Sequence, residues 1–309
     1  MFSGCQVDGL DESIIILEKN QSFEPSRLES EIKNISNLSK ELIVLVPVEN
    51  ISLNSSYVKN ISEIPKEILS ENISSRTLSI GDKWQWQLSG KLNFEYVDEV
   101  SVYDIDLFDS SNSDIEYLHS NDIFVICYFS GGLSEDWRSD FSEFPESVLG
   151  KKLDNWDGER WLDISNYSLF SDVMLTRFDL AVLKGCDGVE VDNIDSYSNI
   201  NGFSISYSDQ IKYNIWLSEN AHYRGLLIGL KNNLEQVTEL VDYFDFAVNE
   251  QCFEYDECEL LLPFIDSGKA VFGVEYELPK SKFCSKANKS QFSFLFMTYD
   301  LSGERDSCN

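Results

Sequence analysis

Polar side chains follow the short apolar runs of this sequence with unusual regularity. In 185–195, Gly-Cys-Asp-Gly-Val-Glu-Val-Asp-Asn-Ile-Asp, a buried-strand pattern runs straight into Asp192-Asn193. Similar exits place Gln87, Asp106, Tyr128, Asp163, Lys231-Asn232, Asn249-Glu250 and Glu275-Tyr276 at or just after other apolar runs. A parallel strand covered on both faces is nearly all apolar, so chemistry can begin only where it leaves the sheet. Polar loops after strands explain one or two such residues, but less readily a carboxylate at five exits.

Convergent carboxylates without a His or Cys cluster suit acid/base work on neutral or cationic substrates. Glycosidic cleavage is built on two of them, one ionised and one holding a proton. Divalent-metal binding is the rival use, but there is no EF-hand pattern and Lys231 at the same exits would repel a cation, so neither metal nor cofactor is expected. A Gly-x-Ser-x-Gly elbow, a Walker loop and a Gly-x-Gly-x-x-Gly turn are all missing. His119 and His222 lie in helix-like segments and read as structural or surface residues. Trp84, Trp86, Tyr128, Trp156, Trp161, Tyr197 and Tyr276 fall near run ends and could stack on sugar faces, although Trp86, Trp161 and Trp216 read better as core.

The positioning elements are strand-like runs at 84–88, 100–105, 123–129, 160–164, 188–191, 226–230, 244–248 and 270–274. Between them lie helical stripes such as Leu234, Val237, Leu240 and Val241, and segments 168–184 and 208–222 that Gly185 and Gly225 would stop. The first crossover has room only for a loop. Eight alternations predict an α/β fold, a (β/α)8 TIM-type barrel, over residues 83–309, whose strand ends share one mouth. An open doubly wound sheet is the alternative. Residues 1–82 are rich in Asn, Ser and Ile, with two strand-like bursts at 14–17 and 42–47 and several Asn-x-Ser sequons, and read as a tether or a small β-rich module.

A net charge of -30 excludes nucleic acid and permits a cationic partner, solubility in salt being the plainer explanation. No run approaches the roughly 20 apolar residues of a membrane span, and no signal peptide is visible. Phe2-Ser3-Gly4-Cys5 nevertheless resembles the end of a lipoprotein signal, making Cys5 a candidate lipid anchor. Of seven cysteines, Cys252–Cys258 and Cys284–Cys308 are expected to pair, which implies a secreted or cell-surface chain; Cys127 and Cys186 sit in apolar runs and read as buried thiols. A monomer is expected.

The ordered series Trp84-Gln85-Trp86-Gln87-Leu88, Val102-Tyr103-Asp104-Ile105-Asp106, Cys127-Tyr128-Phe129-Ser130, Trp161-Leu162-Asp163, Asp187-Gly188-Val189-Glu190-Val191-Asp192-Asn193, Gly229-Leu230-Lys231-Asn232, Asn249-Glu250-Gln251-Cys252 and Val274-Glu275-Tyr276 resembles glycoside hydrolase family 114 over about 84–308. That resemblance implies a (β/α)8 endo-α-1,4-polygalactosaminidase that cuts internal α-1,4 bonds of a cationic galactosamine polymer. It places the catalytic pair on Asp192, as nucleophile, and Glu250, as acid/base, in a retaining reaction. Asp192, beside Asn193 and near Lys231, should stay ionised, and apolar surroundings should raise Glu250. Asp106, Asp163 and Glu275 become candidate binders of hydroxyl and ammonium groups, with Trp84, Tyr128, Asn193, Lys231, Asn232 and Tyr276 completing the substrate site. Two readings stay open beside it: a silent barrel that only binds polysaccharide, and a glycosidase of another specificity.

Overall fold

The computed structural model describes residues 77–153 and 156–308. The strand-like bursts, the sequons and Cys5 of the amino-terminal region lie outside the described residues.

Eight parallel strands form the barrel wall: β1 (Trp84–Gln87), β2 (Val102–Asp106), β3 (Phe124–Ser130), β7 (Gly188–Asp192), β8 (Leu227–Lys231), β9 (Phe246–Glu250), β10 (Val271–Glu275) and β11 (Ser293–Met297). They pair in that order, and a ninth strand, β12 (Arg305–Ser307), runs antiparallel beside β11. The seam towards β1 is bridged by the Trp84 indole N–H on the Ser293 carbonyl (3.0 Å) and the Gln85 amide on the Gly303 carbonyl (2.7 Å).

Alternation along each strand produces two apolar layers. Trp84, Trp86, Val102, Ile126, Phe246, Val248, Phe272 and Val274 fill the barrel, while Ile105, Val125, Val189, Val191, Ile228 and Leu230 face the outer helices. At Gly229 a Cβ would run into the Phe246 ring, so glycine is what admits that ring to the barrel.

The outer helices are α1 (Asn112–Ser120), α2 (Ser171–Lys184), α3 (Tyr207–Tyr223), α4 (Val237–Leu240), α5 (Leu262–Asp266) and α6 (Lys280–Lys289). Ser111 with Asp114 and Ser206 with Asp209 close reciprocal capping boxes at the starts of α1 and α3. Gly185 ends α2 in the left-handed conformation (φ 89°), as its position predicts. No helix lies between β1 and β2. Among the described residues no helix is long and apolar enough to cross a membrane.

Two sequence expectations change. The run at 160–164 is not the fourth barrel strand. It contributes β6 (Glu159–Leu162) to a separate antiparallel sheet with β4 (Leu133–Glu135) and β5 (Leu149–Lys152), inserted between β3 and α2. The missing eighth strand is β11. A short apolar run carries no information about which sheet it joins. With β6 removed from the wall, β3 and β7 become neighbours, and Cys127 and Cys186 are joined in a disulfide rather than being buried thiols. The expected pairs Cys252–Cys258 and Cys284–Cys308 are both formed.

Candidate active site

The carboxyl ends of β7, β8 and β9 deliver Asp192, Lys231 and Glu250 side by side. On each strand the inward face is set by alternation, and the next residue turns away sharply: Asn193 (φ 61°), Asn232 (φ 50°) and Gln251 (φ 64°) are all left-handed. Asparagine tolerates that conformation well; glutamine does so at some cost, a strain that commonly sits beside functional groups.

Lys231 is the hub. Its Nζ lies 2.6 Å from Glu190, 3.3 Å from Asp192 and 3.5 Å from Glu250, and 4.8 Å from the centre of the Trp86 ring. Burial alone would push the ammonium down, but Asp192, Glu190 and Glu250 outweigh it and raise the group well above an ordinary lysine. Since one Nζ touches oxygens of both Asp192 and Glu250, those oxygens are at most about 7 Å apart, a bound that covers the ~5–5.5 Å of retaining glycosidases and only the lower edge of the inverting range.

Asp192 accepts from its neighbour's amide, Asn193 N (2.6 Å), and from the Tyr128 hydroxyl (3.1 Å). Glu250 accepts from the Tyr276 hydroxyl (2.5 Å) and the Asn232 side-chain amide (3.3 Å), while its own N–H donates to Asn232 Oδ1 (2.9 Å). Burial works to raise Glu250, but Lys231, Tyr276 and Asn232 prevail and hold it below the ordinary 4.5. The expected upward shift is therefore reversed: two hydrogen-bond donors and a cation outweigh the burial beside the apolar strand Phe246–Glu250. Beside Glu250 opens a cleft of about 520 Å³ lined by Asp195, Tyr197, Glu235, Tyr255 and Glu257. Burial and the Asp192 charge push Asp195 up to about 6.

Seven of the expected residues thus come together: Asp192, Glu250, Lys231, Asn193, Asn232, Tyr128 and Tyr276. Four do not. Asp106 is clamped by a bidentate pair with Arg138 (2.6 and 3.0 Å). Asp163 follows β6, outside the barrel wall, and accepts from Ser165 and Asn166. Glu275 faces away from the barrel interior that Val274 lines, fully buried, accepting from Phe253 N (2.8 Å). Trp84 begins β1, at the opposite end from the mouth, and is 1% exposed.

The model of glycoside-hydrolase family GH114 matches residues 67–309. The chain belongs to glycoside-hydrolase family GH114. Among solved structures, Ega3 of Aspergillus fumigatus, crystallised in complex with galactosamine, is 38% identical; the match covers 76% of this chain and 98% of Ega3, with a TM-score of 0.72. The glycoside hydrolase domain of PelA from Pseudomonas aeruginosa is 13% identical over 73% of this chain and 98% of its own, at a TM-score of 0.59, a likeness of fold alone. No curated protein matches the chain. As a GH114 member it is a glycoside hydrolase, and the (β/α)8 expectation holds.

The sequence reading missed several residues of this GH114 site. Glu190 is fully buried and anchors Lys231, yet within Gly188–Asp192 it looks like an interruption of a strand. Period-two alternation from Asp192 would have turned it inward. Gly131 N and Gly132 N both donate to the Asp192 carbonyl (2.9 and 3.1 Å), and a Cβ at Gly132 would collide with the Asn193 carbonyl. Ser130 donates to Asn193 Oδ1 (2.7 Å). The Ser130-Gly131-Gly132 triplet at a strand end was a readable signal of close backbone approach.

Proposed function

We propose that this GH114 enzyme cleaves internal α-1,4 bonds of a galactosamine-containing polysaccharide outside the cell, with Asp192 as nucleophile and Glu250 as acid/base. The observation that carries the reading is the single Lys231 ammonium in contact with both carboxyl groups at the barrel mouth. Galactosamine as the sugar is supported by the 38% identity to Ega3, solved with that ligand, and by a cleft whose carboxylates would attract a cationic chain. Three disulfides fit maturation in an oxidising compartment.

In the first step an Asp192 oxygen bonds to the anomeric carbon, the glycosidic C–O bond breaks, and the Glu250 proton passes to the leaving oxygen. In the second, water gives a proton to Glu250 and its oxygen displaces Asp192. Both steps run through an oxocarbenium-like transition state. Asn193 N and Tyr128 fix the Asp192 carboxyl, so its attack geometry is set before substrate arrives. Glu250 is largely ionised in the free site, because Lys231 and Tyr276 favour its charged form. The protonated fraction of Glu250 on which kcat/KM depends is then lost as pH rises through that lowered value, which puts the optimum on the acid side of neutrality. A bound sugar displaces water from Glu250 and favours its protonated form during turnover.

The test is product release from partially deacetylated α-1,4-galactosamine polymer beside its fully N-acetylated counterpart, with the anomeric configuration of the first products followed by NMR. Short oligosaccharides with retained α configuration from the deacetylated polymer are expected. Initial β products would contradict retention, and no cleavage of either polymer would contradict the substrate.

A further inference from the structure

Beneath Lys231 lies a carboxyl group that the reaction above does not use. Asp104, on β2 in register with Trp86 of β1, is 0% exposed, and neither of its oxygens meets a hydrogen-bond donor among the described residues. Among the described residues it has no ion pair: Lys231 contacts Glu190, Asp192 and Glu250 but not Asp104. A carboxylate so placed would bear the full cost of an unmet buried charge.

What Asp104 does face is another carboxyl. The charge that bears most on it is that of Glu190, whose two oxygens already receive the Trp86 indole N–H (3.1 Å) and Lys231 Nζ (2.6 Å). Two carboxyl groups facing each other away from water are tolerated only if a proton is shared between them. Glu190 has two donors, one of them a cation, to support its charge; Asp104 has none, so the proton belongs to Asp104.

We propose that Asp104 is a neutral carboxylic acid in the working enzyme, donating its proton to Glu190, and that the single negative charge of this pair positions Lys231 between Asp192 and Glu250. The charged groups facing Asp104 are Glu190 and Asp192 from β7 and Lys231 from β8. Burial first, then Glu190, pushes Asp104 well above an ordinary aspartate, in line with the geometry. If both members of the pair were ionised, two charges would draw Lys231 down and away from the catalytic carboxyls. With the proton in place, Glu190 holds one of the ammonium's three N–H donors and leaves the others to Asp192 and Glu250. Asp104 is thus a positioning residue acting through Glu190 and Lys231, and this role rests on the assignment of Asp192 and Glu250 given above.

The direct test needs no turnover. Infrared difference spectra of the full chain at pH 7, wild type against Asp104→Asn, should show a protonated carboxylic C=O band that the variant lacks. An identical spectrum in the two proteins overturns the proposal whatever the substrate proves to be. The second measurement is the pH profile of kcat/KM. Asp104→Asn keeps an N–H donor to Glu190 and should stay within about threefold of wild type with its alkaline limb unmoved. Asp104→Ala removes the donor, leaves Lys231 bound more tightly to Glu190, and should lose about tenfold or more with the Glu250 limb displaced to higher pH. A limb that stays put in Asp104→Ala, or an equal loss in both variants with their melting temperatures preserved, overturns the positioning role.

Discussion

At the scale of residues, the site is an electrostatic arrangement around one buried cation. Removing Lys231 leaves Glu190 fully buried without its ion pair, and breaking such a pair costs about 3–5 kcal/mol. Lys231→Met should therefore lower stability by that order in denaturant titration and abolish measurable cleavage. Tyr276→Phe is the gentler probe. It deletes the hydroxyl that donates to Glu250 and helps hold it low, so Glu250 should rise and the alkaline limb of kcat/KM should move to higher pH. An unmoved limb would mean that another group controls it. At this scale the sequence told much. Asp192, Lys231 and Glu250 were visible as polar exits from apolar strands, whereas Asp104 and Glu190 read as interruptions of their strands, and only alternation counted back from Asp192 turns Glu190 inward. The direction of the Glu250 shift was also illegible, since Tyr276 reaches it from 26 residues away.

Elements convert those side chains into a site. Three consecutive strand ends turn in the left-handed conformation, and the Ser130-Gly131-Gly132 corner of β3 locks the β7 exit through the Asp192 carbonyl. Gly132→Ala should force β3 and β7 apart at the mouth, and a loss of activity larger than the loss of melting temperature is expected. The Cys127–Cys186 bridge ties β3 to the residues that lead into β7 across 59 residues of chain, a loop for which chain entropy gives about 4 kcal/mol. Paired Cys→Ser replacement should lower unfolding stability by an amount of that order. Seven of the eight wall strands and the loop-only first crossover could be read from periodicity. The small antiparallel sheet could not, because Trp161-Leu162 is apolar enough for either sheet and only the pairing of β3 with β7 excludes it from the wall.

The whole molecule carries a net charge of -30, and that field should act on a cationic polymer over distances set by salt. KM for deacetylated polymer should rise as ionic strength is raised from about 0.01 M to 1 M, where the screening length falls from about 30 Å to 3 Å, while KM for an uncharged polymer should barely change. Stability has its own pH dependence. Burial pushes Glu275 up from 4.5 to about 7, so between those values the folded chain holds a proton that the unfolded chain has released. Stability contributed by that group is full below 4.5 and declines as pH rises to about 7. Glu275→Gln should flatten this part of the pH–melting-temperature curve. Composition alone disclosed the sign of the field but not its use, which depends on where the carboxylates of the cleft lie.

The measurement that bears most directly on the central claim is cleavage of deacetylated α-1,4-galactosamine polymer by wild type, Asp192→Asn and Glu250→Gln, with binding of the same polymer measured in parallel. Oligosaccharides should appear with wild type, while both variants bind the polymer; Glu250→Gln should lose about a hundredfold to ten-thousandfold in rate, the range for a positioned acid or base, and Asp192→Asn, without its nucleophile, at least as much. Cleavage that survives in either variant at the wild-type rate would contradict the assignment of Asp192 and Glu250 as the catalytic pair.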